Sequence, residues 1–135
     1  MRERSERAAG LKRQACATFL GAVHKVYEGV STAYRDQADA DQRRQLLRSI
    51  SSSEGQVALD TLRLTVDRHT MQDAEKIWRH VRGGGTPTGR THPDKTIGEW
   101  KTEYRTLRWE FLDNARLELC LPRVRVNEER RPQDP

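Results

Sequence analysis

The 135-residue sequence is poor in the residues that crosslink or anchor secreted proteins. Its two cysteines, Cys16 and Cys120, are too few for a disulfide framework or a cysteine metal cluster. The longest uncharged apolar stretch, 14–24, ends at Lys25 and is too short to cross a bilayer. We therefore expect a cytoplasmic protein with reduced cysteines and no membrane partner.

Aromatic and apolar residues are also scarce. Aromatic residues make up 6% of the chain and hydrophobic residues 34%, whereas charged residues make up 33%. A chain of this length forms one domain with a modest core, and the low apolar content makes that core thin. A narrow helical bundle fits this composition.

Basic residues exceed acidic ones, and the formal net charge is +5. The excess lies mainly in segment 1–13, which carries +3, and segment 82–95, which carries +2. Nucleic acid is therefore an alternative partner, bound through phosphate contacts. The candidate residues for such contacts are Arg2, Arg4, Arg7, Arg13, Arg82 and Arg90.

Apolar residues recur at helical spacing along the first half of the chain. A first helix is predicted over about 6–37, with a stripe of Cys16, Leu20, Val23, Tyr27, Val30 and Tyr34, widened by Phe19 and Val26. A second is predicted over about 41–64, with Leu46, Leu47, Ile50, Val57, Ala58, Thr61 and Leu64 buried. Ser53 and Glu54 interrupt this stripe, which predicts a kinked helix. The alternative is a new helix started by a capping box of Ser51 and Glu54.

The second half of the chain predicts two more helices. The third begins between Asp67 and Thr70 and ends at Gly83. Its stripe is Met71, Ala74, Ile77, Trp78 and Val81. The fourth runs from Pro93 or Thr96 to Leu121, with Thr96 and Glu99 spaced as a capping box. Its stripe is Ile97, Trp100, Tyr104, Leu107, Phe111, Ala115 and Leu119.

Four amphipathic helices with mostly short links predict an all-α, antiparallel up-down-up-down bundle. Segment 1–13 is expected to be a flexible basic arm, 14–121 the bundle with a flexible loop at 83–95, and 122–135 a disordered tail. In this arrangement Cys16 and Cys120 lie at the same end of the bundle.

Two segments carry a resemblance to known proteins. The last helix contains Phe111, Ala115-Arg116-Leu117 and Leu119, and the first contains 16–23, Cys-Ala-Thr-Phe-Leu-Gly-Ala-Val. Together they resemble a group of small helical proteins of actinobacteria. The resemblance implies a helical fold and a bacterial cytosolic setting, and it implies no particular activity.

Two patterns suggest ligand binding but lack the context that it requires. Segment 84–91 has the spacing of a phosphate-binding P-loop, but it follows a helix and no strand is predicted. His69, Asp73 and His80 form a row on one side of the third helix, with Lys76 among them, which indicates a solvated face. Glu54 is read as a helix-capping residue at the kink. We predict no catalytic residue, no metal and no cofactor.

Trp109 is the leading candidate for an exposed residue that binds a partner. It points about 140° away from Tyr104 on the helical wheel, among Arg105 and Arg116. Tryptophan beside arginine is typical of binding hot spots. We therefore predict a non-enzymatic helical module that binds a protein partner or forms a homo-oligomer, with Trp109, Arg105 and Arg116 as the candidate contact residues.

Overall fold

A computed structural model describes residues 2–36, 39–84 and 96–119, with side chains described for 6–35, 39–83 and 96–119. Within these ranges the secondary structure is helical and contains no strand, which confirms the all-α class. Five α-helices are described instead of the four expected. They are α1 (Arg2–Asp36), α2 (Ala40–Ser49), α3 (Ser53–Thr65), α4 (Arg68–Arg79) and α5 (Ile97–Glu118). A π-helical turn, His80–Gly84, follows α4.

The long helix α1 supplies much of the core. Its predicted stripe is correct: Cys16, Phe19, Val23, Val26 and Val30 are buried, and its tyrosines are partly buried against them. The helix begins at Arg2, so residues 2–13, expected to form a flexible arm, are its first turns. Glutamate, alanine and arginine are good helix formers, and Ala15 and Cys16 anchor the following turn in the core.

The predicted second helix is two helices, so the expectation of one kinked helix is wrong. Ile50 takes an extended backbone conformation after α2, and Ser52 precedes α3 without a side-chain capping hydrogen bond. The capping box of Ser51 and Glu54 is therefore absent. A Cβ at Gly29 of α1 would lie 3.0 Å from Ile50, which shows how closely this connection crosses α1.

The face that α3 buries also differs from the expected stripe. Gly55, Ala58, Leu59 and Leu62 are its buried residues. The sequence pattern instead placed Leu46, Val57, Thr61 and Leu64 in the core, and all four are exposed. The physical reason is contact between Gly55 and the Trp78 ring, because this contact sets the rotation of α3 independently of α2.

Local capping explains where the later helices start. The Asp67 side chain accepts a hydrogen bond from the Thr70 N–H, which caps α4. The capping box of Thr96 and Glu99 is confirmed at α5, with both reciprocal hydrogen bonds formed. The π-helical turn contains Gly83 at φ 122°, a left-handed conformation that favours glycine.

Neighbouring helices contact one another in reverse residue order. Lys12 lies beside Glu118, the Phe19 and Phe111 rings are 5.6 Å apart, and Tyr27 stacks on Trp100. Between α3 and α4, Gly55 lies against Trp78, and Arg63 pairs with Glu75. The core lies between α1, α3, α4 and α5, and α2 covers one end of α1.

Candidate functional site

An apolar groove runs along the outer surface between α1 and α3. This α1–α3 groove has a volume of about 530 Å³. Its walls are formed by Leu11, Gln14, Ala15 and Thr18 on α1 and by Ser53, Glu54, Val57, Ala58, Thr61 and Thr65 on α3. Most of these side chains are apolar or uncharged, so the groove is suited to an apolar helical surface.

Two large apolar side chains line this groove, and a third is exposed on the same face of α3. Leu11 is 57% exposed and Val57 66% exposed, and Leu64, which is on the Val57 side of α3, is 87% exposed. Val57, Thr61 and Leu64 are spaced i, i+4 and i+7, so they share one face of α3. A row of apolar side chains at helical spacing is the form in which helices present a docking surface.

The groove was not predicted because its residues were assigned elsewhere. Leu11 fell in the expected arm, whereas Val57 and Leu64 fell in the expected core. The sequence did contain one signal for this surface, which is the excess of apolar residues in α3. Leu59 and Leu62 form the buried face of α3. Val57 and Leu64 therefore lie on a second, exposed apolar face.

One end of the α1–α3 groove carries a charged pair. Lys25 Nζ lies 3.3 Å from both carboxylate oxygens of Glu54, and both side chains are more than half exposed. Glu54 is therefore a surface partner of α1 and not the capping residue that the sequence suggested. At the other end, Arg7 is exposed and lies one helical turn before Leu11 on the same face.

The outer face of α5 carries the predicted partner-binding residues. Trp109 is 36% exposed and lies outside the buried core. Arg105 is exposed and Arg116 is half-buried and engaged in further contacts. Trp109, Arg105 and Arg116 stay the predicted contact set on this face.

The predicted phosphate-contacting arginines whose side chains the structure describes do not form one surface. Arg7 and Arg13 are exposed on the first turns of α1, and Arg82 is exposed on the π-helical turn. Arg82 lines a cavity beside Val26, which is about 21 Å along α1 from Lys12. The side chains of Arg2 and Arg4, and all of Arg90 and the loop at 85–95, lie outside the described residues.

The row of His69, Asp73 and His80 is not a solvated face. His69 is exposed, but Asp73 is 8% exposed and His80 only 6%. The Asn114 amide donates a short hydrogen bond to Asp73, and His80 Nε2–H donates to the Trp100 carbonyl at 2.9 Å. The expectation failed because α5 packs against this side of α4 and supplies polar partners to both residues.

Five rings form a connected cluster beneath the π-helical turn. Trp100 stacks on His80 at 5.2 Å and on Tyr27 at 5.4 Å between ring centroids, and Tyr27 stacks on Tyr104 at 4.0 Å. His24 Nδ1 lies 3.3 Å from the Tyr104 hydroxyl. Burial raises the pKa of Tyr104. These imidazoles and phenols are engaged in packing, which makes them structural groups.

A buried carboxylate that the sequence analysis did not single out joins three helices. Glu118 of α5 lies 2.8 Å from Lys12 Nζ and accepts from the Asp67 N–H at 3.1 Å. Its hydrogen bond raises the pKa of Lys12. Partial burial acts to raise the pKa of the Asp67 carboxyl, but hydrogen bonds from Thr70 outweigh this and lower it.

Cys16 lies close to this carboxylate. It is buried, and burial raises the pKa of its thiol to about 11. A neutral, buried thiol is a poor nucleophile and a poor metal ligand. Cys120, its proposed neighbour, lies outside the described residues.

Comparisons add no functional assignment. No protein-family model, curated protein or solved structure matches the chain. In the part of the chain that the structure describes, no group of three or more His, Cys, Asp or Glu residues is arranged to hold a metal ion. Across the described helices, none has both the length and the apolar character needed to span a bilayer.

Proposed function

We propose that this chain is a non-enzymatic helical interaction module that binds a second copy of itself through the α1–α3 groove. The observation that carries the proposal is the exposure of Leu11 and Val57 in this groove, with Leu64 also exposed on the Val57 face of α3. Exposed apolar residues that lie together on a monomer are typical of a protein interface.

The shape of the groove supports a helical occupant. Two helices border it, and their apolar residues recur at intervals of one or two turns. A helix of the second copy that lies in the groove covers the side chains of Leu11 and Val57 and adds a third wall. Burial of a leucine or valine side chain contributes about 1.5–3 kcal/mol when it is complete.

Self-complementarity of the apolar surface supports a second copy as that occupant. In a twofold arrangement the same surface meets itself in the opposite direction. The Leu11 end of one copy then faces the Val57 end of the other, so exposed apolar side chains of the two copies meet.

The arrangement of the helices in the bundle is part of the same proposal. In it, α1, α3, α4 and α5 form an antiparallel up-down-up-down bundle, and α2 is an added helix on the side of α1. The reverse-order contacts between neighbouring helices support this topology. The proposal also includes a cytoplasmic setting, where Cys16 stays a thiol.

Sedimentation of the full chain tests the proposed dimer. The wild-type chain is expected to sediment as a dimer that dissociates on dilution, and Val57→Asp is expected to be monomeric. Val57 is 66% exposed in the single chain, so its replacement leaves the melting temperature of the monomer nearly unchanged. Leu117→Asp is the matched control, because Leu117 is 50% exposed on α5.

Two results would refute this proposal. One is a wild-type chain that stays monomeric at high protein concentration. The other is a dimer that survives Val57→Asp but dissociates in Leu117→Asp or Trp109→Ala, which would assign the contact to the outer face of α5.

Nucleic acid remains the alternative partner, on the strength of Arg7 and Arg13, which are both exposed on the first turns of α1. Binding to phosphates through these residues would weaken steeply with salt. Titration of a DNA duplex at low and moderate salt, with Arg7→Gln and Arg13→Gln as variants, tests this alternative. Absence of binding at low salt eliminates it.

A further inference from the structure

A second cavity lies on a different side of the molecule from the α1–α3 groove. It has a volume of about 360 Å³ and lies between α1, the end of α2 and the π-helical turn. Arg48, Arg82 and Ser52 line it together with apolar residues. We refer to it as the Arg48–Arg82 cavity.

Both arginines of this cavity are available for a ligand. Other arginines of α2 have partners within the chain, since Arg44 pairs with Asp41 and Arg43 stacks over Tyr34. Arg48 has no ion-pair partner among the described residues, and Arg82 stacks over the ring of Trp78 without an ion pair or hydrogen bond in the same ranges. No described carboxylate lines the cavity. Two guanidinium groups at one cavity repel each other, and a bound anion relieves that repulsion.

The chemistry of these donors suits a tetrahedral oxyanion. Guanidinium groups present several N–H donors in a plane and bind phosphate oxygens in pairs. The Trp78 ring lies 5.4 Å from the Arg82 guanidinium carbon and limits the orientations of that side chain. Ser52 supplies a hydroxyl that makes no capping hydrogen bond to α3.

The apolar residues and the volume of the cavity limit the kinds of ligand that it can bind. Val26, Val30 and Val81 line it together with the exposed arginines and are themselves almost fully buried. Apolar groups beside a charged pair lower the local dielectric and strengthen the interaction. The volume falls in the range of small-molecule sites and exceeds what a bare ion needs.

From these observations we infer that the Arg48–Arg82 cavity binds phosphate or a small organic phosphate monoester. The phosphoryl oxygens accept hydrogen bonds from Arg48, Arg82 and Ser52. A small organic group, where present, lies on the valine side chains.

Calorimetric titration of the full chain with inorganic phosphate, at constant ionic strength adjusted with chloride, tests this inference. We expect one site per chain. Arg48→Gln is expected to weaken phosphate binding by about tenfold or more, since it removes charged hydrogen-bond donors. Arg44→Gln is the matched control on the same helix and is expected to bind phosphate as the wild type does. Circular dichroism verifies that both variants are folded.

A second titration uses glycerol 3-phosphate as the probe. Tighter binding than inorganic phosphate indicates an organic monoester as the ligand, and equal binding indicates free phosphate. Three results overturn the inference: no binding of either probe, equal losses in Arg48→Gln and Arg44→Gln, or binding of an oligonucleotide without binding of inorganic phosphate.

Discussion

Gly55 lies directly against the indole of Trp78, and a Cβ at residue 55 would lie 2.3 Å from two ring carbons. Gly55→Ala must therefore move a rigid ring or the α3 backbone. We expect a net destabilisation of up to about 2 kcal/mol, because a packing cost of about 1–3 kcal/mol is offset by a gain of about 1 kcal/mol in helix propensity. Thermal or urea unfolding measures the change.

Gly21→Ala is the matched control for that substitution. A Cβ at Gly21 meets nothing within 4 Å, so only helix propensity changes. We expect this variant to be more stable than the wild type by up to about 1 kcal/mol. Equal effects of the two alanines would show that α3 does not depend on contact with Trp78.

Trp109→Ala and Trp100→Ala should differ sharply in stability. Trp100 is fully buried and stacks on Tyr27 and His80, so its truncation is expected to cost about 3–5 kcal/mol. Trp109 is 36% exposed, and we expect its truncation to leave helicity and melting temperature nearly unchanged. Thermal melts followed by circular dichroism distinguish them. A large loss in Trp109→Ala would place that residue in the core.

The Asp67 cap makes part of the stability depend on pH. Its folded pKa lies below the unfolded value, so its contribution is present above about pH 4 and is lost as pH falls through the folded pKa. We expect Asp67→Ala to lower the free energy of unfolding by about 1 kcal/mol at pH 7. In acid, the variant and the wild type should have the same free energy of unfolding.

Asp67→Asn separates capping from charge. Asparagine is an equally good capping residue, so this variant should keep most of the stability at pH 7. It should lose the acid dependence that the Asp67 carboxylate contributes. Urea unfolding between pH 3 and pH 7 measures both effects. An unchanged pH profile in Asp67→Asn would show that the carboxylate charge plays no part.

Cys16 should react slowly in the folded chain. With a pKa of about 11, about one thiol in a thousand is ionised at pH 8, and burial also restricts access by reagents. A Cys120→Ser variant isolates Cys16 for labelling with a thiol reagent. We expect slow labelling in buffer and rapid labelling in urea. Rapid labelling in buffer would contradict the buried position.

The sequence predicted those elements in which local rules and tertiary packing agree. The α1 stripe, the Asp67 cap and the Thr96–Glu99 capping box all follow from residue type and spacing, because each involves neighbours within two helical turns. The predicted helicity is correct over the described ranges for the same reason.

The failures occur where contacts between distant segments decide the outcome. The face of α3 depends on Gly55 meeting Trp78, and the burial of Asp73 and His80 depends on α5. Periodicity within one helix contains neither contact. Both candidate sites were missed for this reason, since the α1–α3 groove needs the true face of α3 and the Arg48–Arg82 cavity needs α2 beside the π-helical turn.

The three tryptophans also differ in their surroundings, with exposed fractions of 0% for Trp100, 6% for Trp78 and 36% for Trp109. Indoles in apolar surroundings fluoresce at shorter wavelengths than indoles in water, so the emission of Trp109 should lie at longer wavelength than that of Trp100 and Trp78. Trp78 lies beneath Arg82 and therefore senses a guanidinium that turns toward an anion. In a variant with Trp109 replaced by phenylalanine, the emission of Trp78 and Trp100 remains, and its change on addition of an anion would report on the Arg48–Arg82 cavity without any added dye.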